Sequence, residues 1–249
     1  MGPEFMTYCV GLQLNHGIVF MSDTRTNAGV DSISTFRKMH VWEEPGERLI
    51  VLMSAGNLAT TQAVVSLLDE RSKAPAERSP SLLETPSMYQ TAKLVGETLR
   101  EVIGKSTPEG QEADAFSASF MIGGQIRGTE PRLFMVYPEG NFIEASEDTP
   151  FFQIGETKYG KPILIRAYDP DMSFAETVKL LMVSFDSTVK SNLSVGLPLD
   201  LLYYPRDTFA VGYRTRIKAD DEYFRTISDG WSNALKEAFT RLPDFPVDI

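Results

Sequence analysis

The chain opens on two apolar runs. Tyr8, Cys9, Val10 and Leu12 make residues 7–14 rich in strand formers, and Ile18 to Met21 repeats the signal after a turn at Asn15-His16-Gly17. Two such runs joined by Asn-x-Gly predict a β-hairpin. Further strands are predicted at 39–43 and 49–54. The period then changes: Leu58, Ala59, Ala63, Val64, Leu67 and Leu68 recur at helical spacing. A Pro- and Ser-rich link over 74–86 leads to a second helix. There Ser87 and Gln90 occupy capping-box positions, and Met88, Ala92, Val95, Leu99 and Val102 form the apolar stripe.

After a polar loop over 104–114 the period of two returns. Strands are predicted at 116–121, 133–137, 142–145 and 151–154, the middle pair joined at Pro138-Glu139-Gly140-Asn141. Phe174, Val178, Leu181, Phe185 and Val189 mark a third helix. Two short strands near 201–204 and 208–213 follow, then a last helix through Phe224, Ile227, Trp231, Leu235 and Ala238. Strand blocks alternate with helix pairs and lack a regular βαβ order. That predicts an α+β fold of two stacked antiparallel sheets with helix layers outside. No Pro/Gly-rich linker or internal repeat interrupts residues 6–249, which read as a single domain. Residues 1–5, Met-Gly-Pro-Glu-Phe, read as an expression-vector scar ahead of a native start at Met6.

Composition narrows the function classes. The 249 residues are 42% hydrophobic and 23% charged, enough for a sizeable core. The net charge of −10 comes without a basic stripe, since Glu70 and Glu77 interleave Arg71, Lys73 and Arg78. Nucleic acid and anionic membranes, which need such a stripe, are excluded as partners. The single Cys9 excludes an internal disulfide, and with His16 and His40 it makes no metal-ligand cluster. No metal or other cofactor is expected. No apolar run approaches the roughly 18 residues of a membrane span, and no signal peptide is visible, so a reducing cytoplasm is expected. Gly123-Gly124 and Gly155-x-x-x-x-Gly160 lack the Lys-Ser/Thr sequel of a phosphate loop. Cys9 is expected to fill core.

Thr7 is the candidate nucleophile. A threonine hydroxyl needs an adjacent base. When threonine begins a chain its own α-amino group, with a pKa of about 7.7–8.0, can be that base. Initiator methionine is normally trimmed before threonine, so Met6-Thr7 would yield such a start. Thr7 equally suits the first position of a strand. Asp23 ends the second strand and Lys38 opens the third. With three strands side by side, these ends converge beside Thr7. A buried Lys38 would lower the pKa of the hydroxyl and of the amine, and Asp23 would keep it charged and aimed. Singly, each fits a surface ion pair, so spacing alone leaves the triad open.

Over its first two hundred residues the sequence resembles proteasome-type β subunits, which are N-terminal-nucleophile hydrolases. The pieces are Thr7-Tyr8-Cys9-Val10-Gly11, Ser22-Asp23-Thr24-Arg25-Thr26-Asn27-Ala28-Gly29, Lys38, and Ser54-Ala55-Gly56. Within that superfamily, Ile154-Gly155-Glu156-Thr157-Lys158-Tyr159-Gly160-Lys161-Pro162 and the long C-terminal helix resemble the bacterial Anbu branch. The resemblance implies a four-layer αββα sandwich, ring-like homo-oligomers and hydrolysis of amide bonds in a peptide or a small amide. It implies Thr7, Asp23 and Lys38 as the catalytic core and the Gly56 N–H as an oxyanion donor at a helix start. It also implies supporting roles for Ser191 and Ser194. Two departures accompany it: Glu156 stands where the family has Ser, and Ser191 where it has an Asp that orients the N-terminal amine.

Two readings follow. One is a threonine-type amide hydrolase; the other is a structural subunit of a similar assembly with little catalysis. The retained Thr-Asp-Lys set favours the first, and the lost Asp at 191 the second. Six residues precede Thr7 in the sequence as written, so its α-nitrogen is an amide. No activity is expected until residues 1–6 are removed. Substrate preference, ring closure and any ATPase partner are not specified.

Overall fold

In a computed structural model, which describes residues 7–27, 33–74, 76–106 and 113–246, the two opening runs pair as strands β1 (Tyr8–Leu14) and β2 (Gly17–Asp23). A ribbon of β3 (Arg25–Asn27) and β4 (Ile33–Thr35) follows. Then come β5 (Met39–Glu44) and β6 (Arg48–Gly56), helices α1 (Leu58–Lys73) and α2 (Met88–Ser106), and β7 (Ala118–Ile126), β8 (Arg132–Val136), β9 (Phe142–Glu144) and β10 (Phe151–Gly155). The chain closes with α3 (Lys161–Ala167), α4 (Phe174–Ser191), β11 (Leu199–Pro205), β12 (Tyr213–Ile217) and α5 (Glu222–Thr240).

One sheet has the order β10-β1-β2-β11-β12, the other β5-β6-β7-β8-β9, and every pairing within them is antiparallel. Side-chain alternation divides the apolar residues into three layers. On β1, Tyr8, Val10 and Leu12 face α3, α4 and α5, while Cys9 faces the other sheet. On β6, Ile50 and Leu52 face α1 and α2, while Leu49, Val51 and Met53 meet Ile18 and Phe20 between the sheets. The result is the αββα sandwich expected from the sequence. Each fully buried leucine, isoleucine or phenylalanine in these layers contributes about 1.5–3 kcal/mol. The central strands are covered on both faces, so they appear in the sequence as unbroken apolar runs; all seven residues of β2 are buried.

Three differences from the predicted elements have local causes. Helix α3, with Pro162 in its first turn, is seven residues long, too short to show a period. The strand expected at 208–213 lies instead at Tyr213–Ile217, because Asp207 and Phe209 adopt left-handed φ values of 63° and 51° that break the extended run. The short β3–β4 ribbon was not predicted. Part of the expected 104–114 loop and the proposed vector scar fall outside the described residues; within that loop span α2 runs on to Ser106. No described helix is long and apolar enough to cross a membrane, and no His, Cys, Asp and Glu group among the described residues could hold a metal ion.

Candidate active site

The first amide of β1 sets the site. The Tyr8 N–H donates to Asp23 Oδ1 at 2.9 Å, which ties the start of β1 to the end of β2. Lys38 Nζ donates to the same oxygen at 2.7 Å and to the Arg25 carbonyl at 2.6 Å. Asp23 is wholly buried, and Lys38 and Thr7 are 5% and 6% exposed. Burial pushes the Asp23 carboxyl up from the ordinary range, against the pull of the Lys38 ammonium and of the Tyr8 and Gly196 N–H groups. An ion pair so desolvated holds only because each charge keeps its partner.

Thr7 is held from the other side by β10. Its carbonyl accepts the Glu156 N–H at 2.6 Å. Gly155 has φ +83°, and a Cβ there would lie 2.1 Å from the Thr7 carbonyl oxygen and 3.0 Å from Thr7 Cβ. Only glycine fits this approach. Below it, Tyr8 is fixed by its hydroxyl, which lies 2.7 Å from Ser184 Oγ and accepts from Gln153 Nε2 at 2.7 Å. Gly160 leaves room for that network, since a Cβ there would lie 2.2 Å from the Tyr8 hydroxyl. Burial pushes the phenol up, so it stays neutral.

The end of β6 borders Lys38 through the Ser54 N–H, which donates to the Lys38 carbonyl at 3.0 Å. Two residues on, Gly56 turns the chain into α1 with φ +109°; a Cβ there would lie 2.5 Å from the Ser117 carbonyl. Asn57 caps the helix by accepting the Thr60 N–H at 3.0 Å. The remaining first-turn N–H groups give this end of α1 its positive character.

The loop after α4 borders the site through Arg25. Its guanidinium donates to the Leu193 carbonyl at 2.8 Å and abuts Gly196, while its own carbonyl holds Lys38. Asn192 links that loop to β10: its Nδ2 donates to Glu156 Oε2 at 2.9 Å, and its Oδ1 accepts the Ser194 N–H at 2.9 Å. Thus Thr7, Asp23 and Lys38 come together, with the end of β6 alongside, and Ser194 sits in the tied loop. The Ser191 hydroxyl instead donates back to the Ser187 carbonyl at 2.8 Å, on an exposed face. Cys9 points between the sheets, where burial pushes its thiol up and keeps it inert.

Sequence reasoning gave no role to Arg25, Tyr8, Glu156 or Asn192. Arg25, Tyr8 and Glu156 lie in motifs it quoted, but Arg25 meets Leu193 across 168 positions, and Tyr8 meets Ser184 across 176. Such partners carry no local signal.

A buried ammonium on a carboxylate, next to the first residue of a strand and near a helix start, suits activation of that residue's hydroxyl. The proteasome subunit family model matches residues 6–196. The chain belongs to the proteasome subunit family. Within it, solved Anbu structures are similar over the full fold. An Anbu (Gly-1) mutant from Hyphomicrobium sp. strain MC1 is 52% identical, with TM-score 0.90, covering 97% of this chain and 100% of that one. Anbu (ancestral beta-subunit) from Yersinia bercovieri is 49% identical, with TM-score 0.90 and the same coverage. The Anbu complex from Pseudomonas aeruginosa, solved as a helical assembly, is 48% identical, with TM-score 0.89, covering 96% of this chain and 98% of that one. Comparison with curated proteins gave no match. The proteasome-type sandwich and its Anbu branch are thus established for this chain.

Proposed function

We propose that this chain is a threonine-type amide hydrolase that acts once Thr7 is its first residue. The Thr7 hydroxyl attacks an amide carbonyl, and the freed α-amino group of Thr7 takes up the hydroxyl proton and passes it to the leaving amine. Lys38, held by Asp23, keeps positive charge beside both groups and lowers their proton affinity. The Gly56 N–H, at the entry to α1, receives the oxyanion. The acyl-enzyme ester then yields to water, with the α-amine again as base. The observation that carries this reading is the single Asp23 oxygen shared by the Tyr8 N–H and Lys38 Nζ.

The test is covalent capture. Protein beginning at Thr7 is incubated with an electrophile selective for N-terminal threonine and analysed by mass. One adduct, located on Thr7, is expected, and none while residues 1–6 remain attached. No adduct despite a confirmed free amine would overturn the reading, as would turnover with Met1 to Met6 still present.

A second reading, a structural subunit with little catalysis, is favoured by one observation: the Ser191 side chain offers nothing to the Thr7 amine and bonds to Ser187. Self-association belongs to both readings, given the helical assembly of the Pseudomonas aeruginosa relative. Leu235, Phe239, Leu242 and Phe245, exposed on and after α5, are the surface we assign to it. Phe239→Asp is expected to lower the sedimentation coefficient of the assembly. We further read residues 6–249 as one cytoplasmic domain, with Ser194 supporting the site and a peptide or small amide as substrate.

A further inference from the structure

A groove of about 260 Å³ opens where the edge strand β5 of one sheet, the edge strand β12 of the other and helix α1 meet. Arg37, two residues before β5, and His40 on it line the groove with Arg214 from β12 and Asp69 from α1, and Trp42 and Val65 add a small apolar patch at its floor. Its size lies just below the ~300–1,000 Å³ usual for small-molecule sites and suits a ligand the size of one side chain.

Arg37 and Arg214 are among the six of the fourteen arginines that hold no carboxylate among the described residues, and they share one groove. The chain has 34 acidic residues, and Arg48, Arg71, Arg78, Arg127, Arg132, Arg206, Arg216 and Arg241 each hold a carboxylate. Among the described residues neither Arg37 nor Arg214 has a carboxylate within ion-pair distance, though both guanidinium charges act on the His40 ring between them. Asp69 lies on the same groove but is engaged by Lys73. The Lys73 ammonium already offsets Asp69, so the Arg37 and Arg214 guanidiniums leave the groove positive and suited to an anion.

We propose that this groove binds a carboxylate, gripped by Arg37 and Arg214, with its stem against Trp42 and Val65. Guanidinium forks match the planar carboxylate and can bind it through paired N–H donors. The Trp42 and His40 rings, with centroids 6.4 Å apart, line the slot in which the stem would lie. The carboxylate could come from an acidic residue of a peptide or from a small free monoacid, and the same contacts serve either.

Binding needs no turnover, so its result stands apart from that of Thr7 capture. The full chain carrying Trp231→Phe, which leaves Trp42 as its one tryptophan, is titrated by fluorescence and calorimetry. The ligands are a blocked Ala-Glu-Ala peptide, its Gln counterpart, butyrate and inorganic phosphate. The Glu peptide or butyrate is expected to bind about tenfold or more tighter than the Gln peptide, the equivalent of one charge-assisted contact. Tight Glu peptide supports a side-chain source, and tight butyrate alone a free acid. Arg37→Gln and Arg214→Gln should each weaken binding about tenfold, and Arg214→Lys by less. Both arginines are exposed, so these variants keep the fold. No preference over the Gln peptide, phosphate binding as tight as the carboxylates, or unchanged affinity in both Gln variants would overturn the proposal.

Discussion

Lys38 Nζ lies 2.7 Å from Asp23 Oδ1, and both side chains are buried. Removing one partner leaves the other charge stranded in low dielectric. Lys38→Met is therefore expected to cost about 3–5 kcal/mol of stability, measured by chemical denaturation. Adding Asp23→Asn removes the stranded charge and should recover part of that loss, so the double-mutant cycle should show strong coupling. Additive losses would mean the pair is not an ion pair in solution. Thr7 capture is expected to fail in both single variants.

Gly155 meets the Thr7 carbonyl more closely than any side chain allows. Gly155→Ala must shift either β10 or Thr7, and its left-handed φ adds strain. A loss of about 1–3 kcal/mol is expected, with a slower rate of adduct formation at Thr7. Unchanged melting and unchanged capture would show that the start of β1 tolerates displacement.

Tyr8→Phe keeps the ring but deletes the hydroxyl shared by Ser184 and Gln153. The Gln153 amide is then left buried with an unmet donor. The expected cost is about 1–3 kcal/mol, read as a lower urea midpoint with an unchanged m-value.

The His40 ring is held below the ordinary histidine range, first by burial, then by the Arg37 and Arg214 charges, with Asp69 opposing. Below pH ~6.5 the unfolded chain binds a proton at this ring that the folded chain does not. Stability is thus expected to fall as pH drops through that value, and to level off once the folded ring is also protonated. In His40→Asn this part of the slope should vanish from urea midpoints measured between pH 5 and 8. An identical slope in the variant would assign it to another group.

The sandwich is legible in the sequence because its central strands are covered on both sides. Ile18 to Met21 are buried on both faces of β2, so they read as one apolar run whatever their register. Asp23 and Lys38 do meet beside the start of β1, but not through the three side-by-side strands expected: Asp23 ends β2 next to β1, whereas Lys38 precedes β5 of the other sheet, after the β3–β4 ribbon, and reaches Asp23 from the facing sheet. Glycines 155 and 160 stand out in the sequence only as spacing, and their reason appears in three dimensions: one clears the Thr7 carbonyl, the other the Tyr8 hydroxyl. The role of Arg25 is not legible, since its guanidinium grips a loop that follows α4. Helix α3 and the displaced β12 escape for local reasons, a short length and two left-handed residues.

The two bonds that seat the start of β1 use the Thr7 carbonyl and the Tyr8 N–H, both groups of the peptide unit that follows Thr7, so neither uses the Thr7 nitrogen. Removing the residues ahead of Thr7 therefore changes the chemistry of one nitrogen without touching these two bonds. Maturation in this protein would be a chemical unmasking rather than a structural rearrangement, as quick as the trimming itself and as irreversible.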